Sequence, residues 1–477
     1  MKRWFKFILI SFALICIMAI AGAGWYISKA IPIGTGYAAK YLCSSVYISK
    51  RDPEIVFRDD IAPGHFLYSI IDADTRTENG LKVAVANSFG FFKSKAIYRE
   101  GCGCTLVVGT TDDTLKNQTF MNSGPDKPSW KLPQNLPWPD GGRESMQPLP
   151  LGIDADKLKL AVDHAFAEPG PEKKRNTRAI LAVYDGQLIA ERYARGFDRK
   201  MPLLGWSMSK SVTNALVGIL VTQGKLDLKH PAPVVEWQKP EDPRGKITLD
   251  MLLRMSSGLK FEETYAPFYA VTDMLFNSHD FAAFSADQPL ESEPDTEWYY
   301  SSGTANIVAR IVRRTAEKEY PNYYTFLRQE LFEKIGMRSA IMEPDPSGTF
   351  VGSSYTFATP RDWARFGLLY LQDGVWKGKR ILPEGWVKYT TTPTPKAAKG
   401  QYGALFWLNA GSASDPEDRR WPRLPRDTYC ASGFQEQYVC VIPSKKLVAV
   451  RFGLSSERSA WDLEAFIDDV MAALPMS

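Results

Sequence analysis

Residues 206–221 read Trp-Ser-Met-Ser-Lys-Ser-Val-Thr-Asn-Ala-Leu-Val-Gly-Ile-Leu-Val. The apolar second half of this stretch predicts a buried helix over Ser207–Gln223, with Ser207 and Lys210 in its first turn. Residues three positions apart share one face of a helix, so the Lys210 amine should lie beside the Ser207 hydroxyl. A lysine that is buried near a second base can lose its charge and accept the serine proton. Unpaired N–H groups at the helix N-terminus add donors where an oxyanion would form.

Ser-x-x-Lys alone is a weak pattern, and the chain holds a second copy at Ser257–Lys260. That copy follows a predicted helix, contains Gly258 and is typical of a helix end. The first copy gains weight from two other stretches. Residues 298–304, Trp-Tyr-Tyr-Ser-Ser-Gly-Thr, offer a tyrosine for acid–base chemistry. Residues 431–434, Ala-Ser-Gly-Phe, begin a strand region in which glycine lets backbone approach a ligand. Together these are the parts of an acyl-transfer site without histidine.

The composition excludes several classes of chemistry. The chain has 477 residues, 44% of them hydrophobic, and 58 Lys and Arg against 54 Asp and Glu, for a net charge of +4. Such a small surplus is not typical of a nucleic-acid-binding protein, and the apolar content is ample for a globular core. No histidine has the spacing of a zinc ligand, so we expect neither a metal nor a cofactor. We interpret all four histidines as structural or exposed: His65, His164, His230 and His279.

Each candidate residue also has a purely structural interpretation. Ser207 could cap the helix while Lys210 lies at the surface, and Ser302 could be another helix cap. Tyr300 could pack between helices, as aromatic residues commonly do. Phe434 would contribute only its backbone, so its side chain could simply belong to the core. Two observations distinguish the interpretations: whether Lys210 is buried, and which groups the hydroxyls of Ser207 and Ser302 contact.

The N-terminus carries a targeting segment. Three basic residues among the first six precede an uncharged, apolar run of 21 residues from Phe7 to Ile27. That length can span a bilayer, whereas the apolar region of a cleaved signal peptide has only about 7–15 residues. We therefore predict a membrane anchor over residues 1–28, with a cleaved signal peptide as the alternative. The basic flank favours a cytoplasmic N-terminus, so we expect the rest of the chain to be exported to the periplasmic or extracellular side, and to be secreted if cleavage occurs.

An exported chain can form disulfides, and two pairings are open to the cysteines. Cys430 and Cys440 flank a hairpin-like stretch, and Cys43 could reach the Gly-Cys-Gly-Cys at residues 101–104. Buried free thiols fit the sequence equally well, because connectivity does not follow from spacing alone.

Proline and glycine mark a boundary within the chain. Residues 133–151 contain five prolines and a Gly-Gly pair, a density that predicts a linker. We therefore predict an extension of unknown role over residues 29–149 and a second domain over 150–477. Asp185-Gly186 between two apolar runs predicts a β-hairpin. The predicted elements are helices over Asp154–Ala167, Ser207–Gln223, Leu249–Met255, Thr304–Thr315, Tyr323–Ile335, Pro360–Gln372 and Ala460–Leu474, and strands over Arg178–Tyr184, Gln187–Tyr193, Gln437–Pro443 and Leu447–Phe452.

Several stretches of this second domain, in their order along the chain, resemble the serine β-lactamase-like hydrolases. That family includes class C β-lactamases, D-Ala-D-Ala carboxypeptidases, esterases of the same fold and 6-aminohexanoate-dimer hydrolase. The resemblance covers about residues 150–475. It implies an α+β fold of the β-lactamase/transpeptidase type, with an antiparallel sheet flanked by helices and a helical subdomain, here preceded by the anchor and the extension. The stretches that carry the resemblance are Ser207–Lys210, 247–259, Tyr300–Ser302, Ile335–Met337, 358–369 and Ala431–Gly433.

The resemblance implies a role for each candidate residue. Ser207 would be the acyl nucleophile and Lys210 its base partner. Tyr300 would carry a proton to the leaving group and activate the deacylating water. The backbone N–H groups of Ser207 and Phe434 would form the oxyanion hole. The residues expected to contact substrate are Ser302, Ala431, Ser432 and Gly433.

Three positions depart from the pattern of β-lactamases. Ser302 stands where they usually carry Asn, and Ala431 stands where they carry Lys or His. The first change weakens recognition of a substrate amide, and the second removes a cation that would face a β-lactam carboxylate. Glu436 occupies a position where close relatives often have Gly. These differences resemble the esterase and 6-aminohexanoate-dimer hydrolase branch more than a dedicated β-lactamase.

The sequence thus predicts an exported serine hydrolase that cleaves a small-molecule ester or amide through a Ser207 acyl-enzyme. A β-lactamase or a D-Ala-D-Ala carboxypeptidase is the alternative within this class. A membrane-tethered binding protein that kept the fold and lost turnover is the alternative from another class, and the three departures motivate it. The expected partners are the small substrate and, through the N-terminal helix, a membrane, with no nucleic acid.

Overall fold

The computed structural model describes residues 2–118, 133, 135–143, 147–320 and 322–475. Residues 119–132 of the predicted extension, and residues 134 and 144–146 of the predicted linker, lie outside these described residues. The helices are α1 (Lys2–Tyr47), α2 (Pro53–Val56), α3 (Asp112–Asn117), α4 (Ala155–Phe166), α5 (Met208–Thr222), α6 (Leu249–Leu253), α7 (Ala270–Asn277), α8 (Phe281–Ala286), α9 (Ser302–Ala316), α10 (Tyr323–Leu327), α11 (Pro360–Leu371), α12 (Trp386–Thr391) and α13 (Leu463–Ala472). The strands are β1 (Asp72–Glu78), β2 (Leu81–Ser88), β3 (Phe91–Arg99), β4 (Gly103–Leu106), β5 (Thr177–Tyr184), β6 (Gln187–Tyr193), β7 (Leu203–Leu204), β8 (Ile341–Met342), β9 (Thr356–Ala358), β10 (Val375–Trp376), β11 (Lys379–Arg380), β12 (Trp407–Leu408), β13 (Tyr429–Gly433), β14 (Gln437–Ile442) and β15 (Leu447–Gly453).

A six-stranded antiparallel sheet forms the centre of the fold, in the order β12-β13-β14-β15-β5-β6. Distant parts of the chain complete it, because β15 pairs with β5. The β5–β6 hairpin turns at Asp185 and Gly186, which both have positive φ, as the Asp-Gly pattern predicts. Helices α4 and α13 pack on one face of the sheet, and α5 and α11 pack on the other. The predicted antiparallel sheet flanked by helices is therefore confirmed.

Helices α6–α10 form the additional helical part, and one of them differs from the prediction of a single helix over Tyr323–Ile335. Helix α10 ends at Leu327, and a π-helical turn, Arg328–Phe332, follows it. Leu331 and Phe332 come five residues after Phe326 and Leu327, and all four side chains are fully buried. A π-helical turn matches this spacing, because it places residues five apart on one face.

Helix α1 is continuous over 46 residues and has two contrasting halves. A window of 18 residues in its first half has a mean hydropathy of 2.5 and is not buried at all, so this helix is long and apolar enough to cross a membrane. From Ala30 onward α1 packs into the protein. Glycine makes this close packing possible: a Cβ at Gly34 would lie 2.9 Å from Ile71, and one at Gly36 would lie 3.0 Å from Phe276.

The antiparallel sheet β1-β2-β3-β4 packs on the second half of α1 and shares one apolar cluster with the rest of the protein. The Cys43–Cys104 disulfide joins α1 to β4. A buried ion pair between Lys40 and Glu343 joins α1 to the segment before β9. The second disulfide links Cys430 and Cys440, which are paired residues of β13 and β14. Both pairings that the sequence left open are thus formed.

The described part of the predicted linker is docked on α11. The indole N–H of Trp138 donates to the carbonyl of Arg361 at 3.2 Å. The guanidinium of Arg365 donates to the carbonyls of Pro139 and Gly141 at 2.9 and 3.0 Å. The Arg365 contacts satisfy backbone carbonyls of a segment that forms no helix or strand.

Candidate active site

Ser207 lies directly before α5, at its N-cap position, yet its hydroxyl makes no capping hydrogen bond. The preceding Trp206 has φ of +48°, a left-handed conformation that is uncommon for a large side chain and turns the chain sharply at this point. The Nζ of Lys210 lies 3.1 Å from Ser207 Oγ. Lys210 is 1% exposed and Ser207 is 9% exposed. The interpretation of a capping serine beside a surface lysine is therefore wrong.

The Lys210 ammonium has three hydrogen-bond acceptors around it. They are Ser207 Oγ at 3.1 Å, Ser302 Oγ at 3.0 Å and the Ser353 carbonyl oxygen at 3.2 Å. The same Nζ lies 4.6 Å from the centroid of the Tyr300 ring. An ammonium group has three N–H donors, so every donor of Lys210 is matched by an acceptor within this buried site.

Glu263 completes the site and was not singled out from the sequence. Ser302 donates its backbone N–H to Glu263 Oε2 at 2.7 Å and its hydroxyl to Oε1 at 2.5 Å. The Tyr265 hydroxyl also donates to Oε1, at 3.3 Å. Ser302 itself is fully buried. Glu263 is 39 residues before Ser302 and sits in an irregular segment, so no spacing pattern could have connected the two.

Tyr300 both packs in an aromatic cluster and reaches the site. Its ring stacks on Trp407 at 5.2 Å between centroids and meets Tyr402 edge-on at 5.8 Å. Burial raises the pKa of Tyr402, and the nearby Tyr300 raises it further. Tyr300 is half-buried, with one face of its ring toward the Lys210 ammonium. Tyr300 therefore packs in the aromatic cluster and also contacts Lys210 through its ring, and its catalytic role stays a prediction.

The end of strand β13 comes very close to the chain just before Ser207. A Cβ at Gly433 would lie 2.1 Å from the Gly205 carbonyl oxygen, so only glycine allows this approach. Phe434 follows, with its ring 40% exposed. Within the described part of the chain, neither the Ser207 nor the Phe434 backbone N–H donates a hydrogen bond. Their role in an oxyanion hole stays a prediction.

The turn after Phe434 explains the departure at Glu436. Gln435 and Glu436 have φ of +58° and +65°, the left-handed region that favours glycine. The guanidinium of Arg451 donates to the carbonyl of Gln435 at 3.0 Å and to that of Glu436 at 2.6 Å. Tyr438 donates its hydroxyl to the Glu436 carboxylate. These bonds hold a backbone conformation that Gly would adopt without strain.

The remaining strand residues lie at the edge of the site. Ala431 is buried, whereas Ser432 and Gly433 are half-buried. A cation that the sequence did not indicate lies on the Tyr300 side: the Arg420 guanidinium is 4.0 Å from the centroid of the Trp407 ring. Burial lowers the pKa of Arg420. Within the described residues Arg420 forms no ion pair, and its Nε is buried without a hydrogen-bond partner.

Other candidate features lie elsewhere or are structural. In the second Ser-x-x-Lys copy, Gly258 has φ of +73° and Lys260 is exposed, as expected for a helix end. Within the described residues no three or more His, Cys, Asp or Glu side chains are grouped as metal ligands. The histidines contact surface or backbone groups outside the site: His65 caps Leu67, His164 pairs with Asp469, His230 pairs with Asp227, and His279 lies at the Val108 carbonyl.

Comparison with known proteins agrees with the fold. A 6-aminohexanoate-dimer hydrolase from Paenarthrobacter ureafaciens is 27% identical over 265 residues, which are 51% of this chain and 64% of that enzyme, so the chain spans less than two thirds of this relative. Two solved structures share the fold: a penicillin-binding protein homolog from Caulobacter crescentus, with a TM-score of 0.51 at 15% identity, and a family VIII carboxylesterase, with a TM-score of 0.52 at 14% identity. Each match covers 69% of this chain and 100% of the other chain. The sequence profile described as Beta-lactamase matches residues 162–458, more than half of the chain. This chain therefore belongs to the Beta-lactamase family, whose members are serine hydrolases and penicillin-binding-protein-like proteins.

Proposed function

We propose that this protein is an exported serine hydrolase that cleaves an ester or small amide through a Ser207 acyl-enzyme. One observation carries the proposal: the buried Lys210 amine lies 3.1 Å from the Ser207 hydroxyl oxygen. At this distance an amine can accept the serine proton as a general base.

The partners of Lys210 fix the direction of its hydrogen bonds. The Glu263 carboxylate can only accept, so the Ser302 hydroxyl donates to it and offers a lone pair to Lys210. The Ser353 carbonyl can also only accept. A neutral Lys210 would use its two N–H groups on these two acceptors, and its lone pair would then face Ser207. We therefore assign Ser302 and Glu263 as positioning residues for Lys210.

The proposed reaction follows from this arrangement. Ser207 Oγ attacks the substrate carbonyl carbon as its proton passes to Lys210 Nζ, and the carbonyl oxygen gains the negative charge. The N–H groups of Ser207 and Phe434 would stabilise that oxyanion. The bond to the leaving group then breaks, and Tyr300 passes the proton from Lys210 to the leaving atom. Water repeats the sequence on the acyl-enzyme, which releases the acid and restores Ser207.

The walls of the site support an ester or an aminohexanoate-type amide over a β-lactam. Ala431 provides no cation in the strand, and Ser302 has its hydroxyl bound to Glu263. Tyr265 and Phe434 stack at 5.1 Å and form an aromatic rim. Ser432 and Gly433 would line the opposite edge. The 6-aminohexanoate-dimer hydrolase similarity points in the same direction.

The exposed half of α1 supports a role as an uncleaved membrane anchor. Its apolar surface is free of contacts with the rest of the protein over the window of highest hydropathy. The body that begins at Ala30 would then be held outside the cytoplasm, because the basic flank favours a cytoplasmic N-terminus. In this arrangement residues 1–28 anchor the chain, residues 29–149 connect the anchor to the hydrolase, and residues 150–477 contain the catalytic groups.

A panel of substrates tests the proposed function. It contains p-nitrophenyl esters, nitrocefin, a D-Ala-D-Ala peptide and the linear 6-aminohexanoate dimer, with the Ser207→Ala variant as the blank. We expect turnover of esters or of the dimer by the wild type and none by the variant. Rapid nitrocefin turnover without ester or amide cleavage would show that a β-lactam is preferred over an ester or an aminohexanoate-type amide. Equal rates for wild type and variant would contradict the Ser207 acyl-enzyme.

A further inference from the structure

We propose that an aromatic collar around α1 lies at the surface of a lipid bilayer and holds the opening of the active site against it. The collar consists of Trp25, Tyr26, Phe89, Phe91 and Phe268. The contact of the collar with lipid rests on the proposed membrane anchor, and its link to the active site rests also on the proposed hydrolase.

The collar residues are exposed to an extent that water does not favour. Phe89 and Phe91 are 74% and 72% exposed, and Trp25 is 60% exposed. Phe89 also has φ of +50° in the two-residue turn between β2 and β3, where Asn, Asp or Gly is the usual residue. A phenylalanine here is unfavourable both for the backbone and for solvation in water. Contact with lipid would remove the second of these costs.

The β2–β3 turn lies at the same height as the end of the exposed half of α1. The hydroxyls of Thr35 and Ser94 are 2.9 Å apart, and the rings of Tyr47 and Tyr98 are 5.4 Å apart, so α1 and β3 run in the same direction. A strand rises about 3.3 Å per residue, so Phe91 lies about 10 Å before Ser94 along β3. A helix rises about 1.5 Å per residue, so the same distance of about 10 Å corresponds to about six or seven residues of α1 before Thr35. Phe91 is therefore level with residues 28–29 of α1, directly after the uncharged run.

Phe268 brings the active-site loop to the same level. Its ring stacks on Trp25 at 4.9 Å and lies 5.5 Å from Tyr26. Three residues earlier in this loop, Tyr265 stacks on Phe434 at 5.1 Å. The loop therefore touches α1 at the end of its apolar surface with one side chain and forms the aromatic rim of the site with another.

Charge favours a bilayer with anionic headgroups as the occupant. Lys29 follows the apolar run, and Lys93 follows Phe91 along β3; both are exposed. Aromatic residues with adjacent lysines are typical of the boundary between lipid and water. A protein partner would leave the exposed half of α1 uncovered, whereas a bilayer covers α1 and the collar together.

The depth of the β2–β3 turn tests the collar in the full-length chain. Phe89→Cys is labelled with the fluorophore NBD in a Cys16→Ser background and reconstituted into phosphatidylcholine–phosphatidylglycerol vesicles. Cys102 is 2% exposed and the other cysteines are in disulfides, so labelling is confined to position 89. Lys379→Cys, in the exposed strand β11, is the matched control. At position 89 we expect doxyl lipid to quench the fluorophore and iodide not to reach it. At position 379 we expect iodide to quench the fluorophore and doxyl lipid to have no effect.

Each other outcome overturns the proposal in a distinguishable way. Equal iodide quenching at both positions would place the turn in water. Protection from iodide without quenching by doxyl lipid would indicate a protein contact, such as a second copy of this chain. Failure of the chain to float with the vesicles would overturn the anchor and the collar together. Hydrolysis of p-nitrophenyl acetate in the same samples reports on the serine chemistry separately.

A second variant tests the link to the active site. In Phe268→Ser, we expect severalfold slower hydrolysis of p-nitrophenyl palmitate held in the vesicles, with hydrolysis of water-soluble p-nitrophenyl acetate unchanged. Val235→Ser, at an exposed position outside the collar, should change neither rate. If Phe268→Ser leaves both rates unchanged, or lowers both equally, the loop does not hold the site against the bilayer.

Discussion

The Nζ of Lys210 lies 3.1 Å from the Oγ of Ser207, and the lysine is 1% exposed. A charged group so fully removed from water is costly unless acceptors surround it. Here every N–H has an acceptor, and one of them, Ser302, is fixed in direction by Glu263. The proposed mechanism uses this pair for proton transfer.

Replacement of the lysine should remove this transfer. Lys210→Met keeps the length of the side chain without its amine, and we expect the rate of p-nitrophenyl acetate hydrolysis to fall roughly 10²–10⁴-fold, the range for loss of a general base. Lys260→Met, in the exposed second Ser-x-x-Lys, should keep the wild-type rate. A rate within twofold of wild type for a folded Lys210→Met variant would show that the lysine is not the base.

Glu263 should matter through the direction of its hydrogen bonds. The amide that replaces its carboxylate in Glu263→Gln would present one acceptor oxygen to three donors, the Ser302 N–H and hydroxyl and the Tyr265 hydroxyl. A buried donor without an acceptor costs about 1–3 kcal/mol, so we expect kcat of this variant to fall roughly tenfold to hundredfold with an altered pH–rate profile. Glu262→Gln, at the half-exposed neighbour, is the control. A Glu263→Gln variant with unchanged kcat and pH profile would contradict the positioning role.

Much of this site could be predicted because its parts are local in sequence. Ser207 and Lys210 are one helical turn apart, and the Asp185-Gly186 hairpin is a two-residue signal. Glu263 and Arg420 were missed because they reach the site only through the tertiary fold, from irregular segments with no periodic pattern. The same limit applied to α1, which continues through Pro32 to Tyr47 because packing outweighs the helix-breaking tendency of proline and glycine.

Arg420 should favour substrates whose leaving group carries a carboxylate. It lies against Trp407, which stacks on Tyr300, the proposed proton donor to the leaving group. Hydrogen bonds to charged groups contribute about 1.5–3 kcal/mol, so Arg420→Gln should lower kcat/KM for 4-acetoxybenzoate at least roughly tenfold. The neutral analogue 4-acetoxybenzamide should be unaffected.

Arg458→Gln is the control for charge alone, because the Arg458 side chain is 87% exposed. It should leave the rates for both esters as they are. If Arg420→Gln lowers both rates by the same factor, its contribution is packing against Trp407 and not recognition of an anion.

Asp345 should give the folded protein a measurable pH dependence. Burial raises the pKa of its carboxyl to about 6, even though Ser347, Phe281 and Thr349 donate hydrogen bonds to it. The folded state therefore keeps a proton that the unfolded chain loses near pH 4. This contribution to stability is complete below about pH 4 and is lost as the pH rises through about 6.

The difference in unfolding free energy between wild type and Asp345→Asn isolates this effect. Both free energies are measured by urea denaturation. Between about pH 4.5 and 7, the wild type should lose about 2 kcal/mol of stability relative to Asp345→Asn. Asp185→Asn, at an exposed carboxylate, should show no such change. A constant difference for Asp345→Asn across this range would mean that the carboxyl is ionised throughout.

The central claim is that Ser207 forms the acyl-enzyme, and covalent labelling tests it most directly. The full-length wild type, Ser207→Ala and Ser257→Ala are treated with a fluorophosphonate, and the labelled peptide is identified by mass spectrometry. Ser257 is the matched control, because it begins the second Ser-x-x-Lys and is also buried. We predict labelling of Ser207 in the wild type and in Ser257→Ala, and none in Ser207→Ala. Equal labelling of Ser207→Ala and wild type would contradict the proposed mechanism.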